Sequence, residues 1–485
     1  MLKPTYQQAC ALSNDYKVIP VCKEIYADII TPIAMLRKLA QQSQQYYLLE
    51  SIEGGERWGR YSFLGFDPVV HVTCKNHIVA VEGSETKSIE TQNPMDVIRE
   101  ILAEYKSPQL SYMPPFTGGF VGYFSYEMIG YTEPVLKLKN SNFQDVDLML
   151  FDKVIAYDHL KQKISVVVNM KAKSGELGYQ KAEQEIERIV QMITDSTPLP
   201  MEAADAAPEF TCNVTKEEYC AMVERTKEYI FNGDIFQAVI SRRFEAEYKA
   251  SLLNTYRVLR TTNPSPYMFF LQNGDVQIAG TSPETLIKLA GEKLTTFPVA
   301  GSRPRGKTQE EDESLEQELM ADEKELAEHN MLVDLARNDV GRIAAYSSVK
   351  VEAYQIIHRY SKVMHIASIV GGKLRQDKDA CDAIAAMLPA GTLSGAPKIR
   401  ACQIIDELEP QARGIYGGAV GYLDFSGNMD MCIAIRMAVK KENKVFVQAG
   451  AGIVADSVPE TEYEESANKA MAVIQAIKTA SEVNR

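Results

Sequence analysis

The sequence predicts a mixed α+β fold with antiparallel strand pairing. Two observations lead there. In the C-terminal part, the strand-like runs GAVGYLDF, MCIAIRMAVKK and KVFVQAG mix with helical segments instead of alternating strictly with them. In addition, LDFSGNMDMCIAIRMAV reads as a hairpin turning at Ser426-Gly427-Asn428, and hairpins imply antiparallel neighbours.

Taken in chain order, KISVVVNM reads as a strand, and YQKAEQEIERIVQMI reads as an amphipathic helix closing an N-terminal region, residues 1–195. The stretch TDSTPLPMEAADAAPEFT is rich in Pro and Ala and has no strong periodicity, so 196–211 reads as a linker. The region 212–485 opens with TKEEYCAMVERTKEYIFNG, a helix capped by Thr215, with Glu218 at the capping-box position and Gly233 at its end. ADEKELAEHNMLVDLARND, from Ala321 to Asp339, reads as a helix, and another starts at Pro397. GAGIVA, Gly450 to Ala455, matches a loose dinucleotide pattern. Pro459 forbids a helix running through it, however, so nicotinamide binding is not expected.

Composition narrows the function. The chain has 485 residues, 45% hydrophobic and 24% charged, which is ample for a globular core. A net charge of −13 and the lack of any Lys/Arg run argue against nucleic acid or an anionic membrane as partner. The eight cysteines are scattered without a CxxC pair, as in reducing compartments. The N-terminus has no apolar signal-peptide core, and no run of about eighteen apolar residues occurs. The expectation is a soluble, cytoplasmic protein.

Several residues ask for a chemical reason. Glu325 and Glu328 sit three apart on one helix face beside the apolar run Met331-Leu332-Val333. Glu462 and Glu465 repeat the spacing, with Lys469 one turn on. Either pair is an ordinary solvated face, or the two together surround a cation. Oxygen ligands without His or Cys would select a hard ion such as Mg2+. His365 lies among apolar neighbours and, taken alone, reads as a core imidazole hydrogen-bonded to backbone. LPAGTLSGAPKIRA is either a plain turn or a nest of backbone N–H groups around Thr392. Arg436, in an apolar strand, needs an acid or an anionic ligand.

PVAGSRPRG, AEHNMLVDLARNDVGR, LPAGTLSGAPKIRACQIIDELEP, GIYGGAVGY and QAGAGIVADSVPETEYEESANKA together resemble the chorismate-utilising enzymes, above all the anthranilate synthase component I family. The resemblance runs from about Leu48 to the end and is densest after Thr215. It implies two large antiparallel sheets packed as a sandwich and wrapped by helices. Glu328 and Glu465 match the family's Mg2+ ligands, with Glu325 and Glu462 supporting them through water. Thr392, the backbone at Gly450 and Gly452, and Lys469 match contacts to the ring carboxylate of chorismate. Tyr416 and Arg436 match the clamp on the enolpyruvyl carboxylate. Glu284 matches the acid that protonates the departing 4-hydroxyl, and His365 the histidine of the later pyruvate loss.

The resemblance also separates the family's branches. Aminodeoxychorismate synthases carry a nucleophilic lysine where this chain has Ala300. The water-adding isochorismate and salicylate synthases carry a base lysine where it has Gln237. A site with neither lysine implies ammonia as the nucleophile. The chain has no glutaminase signature, so the resemblance implies a separate glutamine amidotransferase subunit and hence a hetero-oligomer. Glu50, Ser51, Pro266, Tyr267 and Met268, in LLESIEGGERWGRYSFLG and NPSPYMFF, resemble the family's tryptophan feedback pocket. Two rival readings remain: an aminodeoxychorismate synthase without its lysine, and a catalytically silent amino-acid sensor on the same fold.

Overall fold

The computed structural model describes residues 2–53, 57–199, 206–359 and 363–483. Residues 200–205 of the expected linker, 54–56 of the expected inhibitor segment and 360–362 just before His365 lie outside the described residues.

The expected α+β sandwich is borne out: the described residues form two twelve-stranded sheets, antiparallel throughout, with helices packed around them. The first sheet runs from strand Val18–Tyr26 at one edge, through Gln45–Glu50, Tyr267–Asn273 and Val276–Ser282, to Lys444–Ile453 and Gln237–Glu247. The second runs from Val299–Pro304 and Val363–Lys373, through Thr285–Ala290, Met429–Ile433, Ala419–Asp424 and Gly119–Phe124, to Thr86–Glu90. Residues on both sides of the 196–211 linker contribute to each sheet.

Side-chain alternation along the strands divides the apolar residues between two cores. Tyr47, Phe63, Phe269 and Ile278 of the first sheet meet Phe120, Leu148, Val420 and Met431 of the second between the layers. Their sequence neighbours Leu48, Leu64 and Phe270 point the other way, into a core closed by helix residues including Leu36, Ile186, Leu259 and Ile477.

The local signals read from sequence appear at their positions. Helix Lys216–Phe231 has the full capping box between Thr215 and Glu218, and Gly233 follows with φ +80°. Helix Pro459–Ala480 starts on Pro459, and a turn separates it from the strand ending at Ile453, so no helix opens on the GAGIVA glycines. Strands Ala419–Asp424 and Met429–Ile433 form the expected hairpin around Ser426-Gly427-Asn428. Among the described residues, no helix is long and apolar enough to cross a membrane.

One expectation is corrected. MCIAIRMAV is not a single strand. Met429–Ile433 belongs to the second sheet and Met437–Lys441 to the first, and the chain changes layer at Ala434-Ile435-Arg436, where Arg436 adopts φ +53°.

Candidate active site

The chain also changes layer between Val276–Ser282 and Thr285–Ala290, leaving Pro283 and Glu284 at the crossing. This crossing and the one at Arg436 lie side by side. The Ile433 N–H donates to the Glu284 carbonyl at 3.0 Å and the Thr281 N–H to the Arg436 carbonyl at 3.1 Å, while the Ser282 hydroxyl donates to the Ile433 carbonyl at 2.7 Å. An acid and a guanidinium are thereby held by backbone at the mouth of the sandwich.

Around them the sequence-predicted residues gather. Thr392, in the short turn Gly391–Leu393, donates its hydroxyl to Glu284 Oε1 at 2.8 Å. Burial pushes the Glu284 carboxyl up to about 7, opposed by that hydrogen bond and by the charge of Lys469. His365, on strand Val363–Lys373, meets the Gly301 carbonyl through Nδ1 at 2.8 Å. A carbonyl only accepts, so Nδ1 bears the proton and Nε2 is the basic nitrogen of the neutral ring. Burial lowers the His365 pKa, and the nearby charges of Arg436 and Lys469 lower it further.

Arg436 donates from Nη1 to the Lys469 carbonyl at 3.2 Å. Burial lowers its pKa, against the pull of Tyr416 and Glu465. Tyr416 is buried, which pushes its hydroxyl up to about 12. Lys469 lies 2.5 Å from Glu465 Oε1 and 3.3 Å from the Gly450 carbonyl. Gly450 and Gly452 lie on the strand beside Gln237–Glu247, and each makes a close approach possible. A Cβ would stand 2.4 Å from the Ile240 carbonyl at Gly450, and 2.5 Å from the buried Gln237 amide at Gly452.

The two ExxE helices come from different layers. Glu323–Gly341 packs on strands Val299–Pro304 and Val363–Lys373, and Pro459–Ala480 on Lys444–Ile453. Their acids nevertheless sense one another. Glu328 is raised by burial and then by the charges of Glu325 and Glu465; Glu462 is raised by burial and by Glu465. Glu325 also pairs with Arg303 at 3.6 Å. As the side chains stand, no three His, Cys, Asp or Glu groups converge at metal-binding distance among the described residues. The donor set still suits a hard cation: it is oxygen only, and mutual repulsion that a cation would relieve already perturbs Glu328.

The sequence reading missed a buried brace beneath the site. Arg413 forks onto Glu409 at 2.9 and 2.5 Å, and donates to the Leu393 carbonyl at 2.5 Å and the Val239 carbonyl at 2.6 Å. Glu409 in turn accepts the Ser241 N–H at 2.7 Å and its hydroxyl at 2.9 Å. The turn with Thr392, the strand beside Gly450 and the segment leading to Tyr416 are thus tied to one ion pair. A Glu and an Arg four apart in the polar stretch DELEPQARG give no local sign of these partners.

A second cavity, about 530 Å³, lies between the sheets, and Glu50, Ser51, Pro266, Tyr267 and Met268 all line it with Phe63, Tyr422 and Cys432. The Glu50 carboxylate is turned to other work. It accepts from Ser62 at 2.8 Å, from Tyr256 at 2.7 Å and from Arg260 at 2.7 and 3.0 Å.

The chorismate-binding enzyme family model matches residues 44–475. Anthranilate synthase component 1 of Acetivibrio thermocellus is 45% identical over the whole of both chains, and that of Aquifex aeolicus is 46% identical over 99% of each. The crystal structure of anthranilate synthase component I from Streptococcus pneumoniae superposes with a TM-score of 0.79 at 37% identity, over 93% of this chain and 99% of that one. The menaquinone-specific isochorismate synthase of Escherichia coli shares the fold at a TM-score of 0.70 and 19% identity, covering 97% of this chain and 98% of its own. The fold is therefore that of a chorismate-binding enzyme. Within that class, the chain belongs to the anthranilate synthase component I family.

Proposed function

We propose that this chain converts chorismate and ammonia to anthranilate and pyruvate through 2-amino-2-deoxyisochorismate, with Mg2+ as cofactor and tryptophan as feedback inhibitor. One observation supports it above the rest: two half-buried titratable groups are pushed in opposite directions beside Arg436 and Lys469. Glu284 keeps its proton up to about pH 7, and His365 stays neutral. Glu284 is thus set to donate to the departing 4-hydroxyl, which leaves as water while ammonia bonds to the ring. His365 Nε2 is set to take the ring proton as the enolpyruvyl C–O bond breaks. Arg436 and Tyr416 orient the side-chain carboxylate, and Thr392, Lys469 and the Gly450–Gly452 backbone orient the ring carboxylate. Glu328 and Glu465 would hold Mg2+, with Glu325 and Glu462 beside them. Bound there, the metal supplies neutralisation of the substrate's ring carboxylate.

Gln237 cannot serve as a lysine base toward water, and Ala300 offers no nucleophile. With chorismate and Mg2+ alone the purified chain should therefore be nearly inert. Ammonium at a pH that supplies free ammonia should start turnover, giving anthranilate and pyruvate in equal amounts. Glutamine should work only with an amidotransferase subunit present. His365→Ala should instead accumulate the aminated intermediate. Isochorismate formed without ammonia would defeat this reading, and a 4-amino product without pyruvate would establish the aminodeoxychorismate alternative.

A further inference from the structure

Tyr267 belongs to the first sheet, yet its hydroxyl reaches the second, standing 2.7 Å from Asp430 Oδ1 and 2.9 Å from Thr285 Oγ1. The phenol has one proton and a carboxylate only accepts. Tyr267 therefore donates to Asp430, and the Thr285 hydroxyl donates to the phenol oxygen. Lys288 holds the other Asp430 oxygen at 3.0 Å. Burial raises the Tyr267 pKa well above its ordinary value, so the phenol stays a donor.

The position of this contact matters more than its strength. Thr285 directly follows Glu284 and is paired with Cys432, one residue before the Ile433 N–H that holds the Glu284 carbonyl. Tyr267, Thr285, Asp430 and Cys432 all line the inter-sheet cavity, together with Pro283 on the other side of Glu284. The spacing of the two sheets is thus fixed by hydrogen bonds at the point where the chain bearing Glu284 passes between them.

We propose that Tyr267, Thr285 and Asp430 form a positioning strut that holds Glu284 against Thr392 and couples that position to occupancy of the inter-sheet cavity. A ligand seated beside Ser51, Pro266 and Tyr422 changes the strut, and the layer crossing shifts Glu284 off its Thr392 hydrogen bond. The coupling half rests on the reading of the cavity as a tryptophan site; the positioning half does not.

Tyr267→Phe removes one oxygen and keeps the ring. Assayed with ammonium, Tyr267→Phe and Thr285→Val should each lower kcat about tenfold while the KM for chorismate changes less than about twofold. The double variant should lose little more than either single one, because both act through one contact. Thr285→Ser, which keeps the donor, should restore activity. Calorimetry should show tryptophan still binding Tyr267→Phe within about threefold of wild type, while saturating tryptophan no longer suppresses turnover fully. Wild-type kcat and full inhibition in Tyr267→Phe would overturn the strut, as would a Thr285→Ser defect equal to that of Thr285→Val. Absence of tryptophan binding to the wild type would instead sink the regulatory reading, with the kcat comparison still deciding the positioning role.

Discussion

Glu284 and His365 were legible as chemical types in the sequence, but their protonation states were not, because those depend on what surrounds each group. Burial raises the carboxyl to about 7 and lowers the imidazole, so each acquires the form that the proposed step requires. With glutamine and the amidotransferase subunit supplying ammonia, activity should decline as pH rises through about 7, where Glu284 loses its proton. Glu284→Gln should lower kcat by about 10²–10⁴ and remove that alkaline decline, as a pH–rate series would register. Glu127 went unnoticed in the sequence. Its Oε1 accepts the Gly414 N–H at 3.0 Å, its Oε2 finds no hydrogen-bond partner among the described residues, and burial pushes it up to about 7 from 4.5. The raised value sets the sign: the folded state binds the proton more tightly than the unfolded chain does. The contribution to stability is therefore full below about 4.5 and is lost as pH climbs through about 7. Glu127→Gln should melt near wild type at about pH 4 and increasingly above it toward about pH 8, in a series of thermal denaturation curves.

At the scale of elements, the ExxE spacing was readable along each helix, whereas the nearness of the two acidic pairs was not. They pack on different sheets, and only the closed sandwich brings the charge of Glu465 within reach of Glu328. The shared repulsion among Glu325, Glu328 and Glu465 implies a stabilising response to a divalent ion. Added Mg2+ should raise the melting temperature of the wild type, and Glu328→Gln should lose that rise along with most turnover. An unchanged rise would exclude Glu328 as a ligand. The break at Arg436 was illegible for a different reason. MCIAIRMAV has no Gly, Pro or Asn to mark a turn, and a left-handed arginine gives no local signal. Its backbone is held by the Thr281 N–H, a contact far away in sequence. The helix start at 397, the break at Pro459 and the 215 cap, by contrast, were readable because their physics lies within a few residues.

For the molecule as a whole, the hairpin direction was legible and the strand order was not. Leu48 pairs with Phe270, and Gly122 with Gly421; no periodicity within either strand encodes such a partner. The same lack of local information hid the brace of Arg413 and Glu409, whose two carbonyl partners lie at Leu393 and Val239. The five family motifs supplied the architecture that residue patterns alone left open.

This shared construction bears on how the chain is made. When residues up to about 195 have left the ribosome, Gln45–Glu50 has its neighbour Tyr61–Phe66 but still awaits Tyr267–Asn273. Gly119–Phe124 has Val146–Phe151 but still awaits Ala419–Asp424. Each half-built layer then ends on a bare, apolar edge, the arrangement most prone to pairing with a stranger. At translation rates of roughly 5–20 residues per second, the second of these edges stays open on the order of tens of seconds. Protection during that interval must come from outside the chain, so its yield should depend on chaperone supply more than its finished stability would suggest.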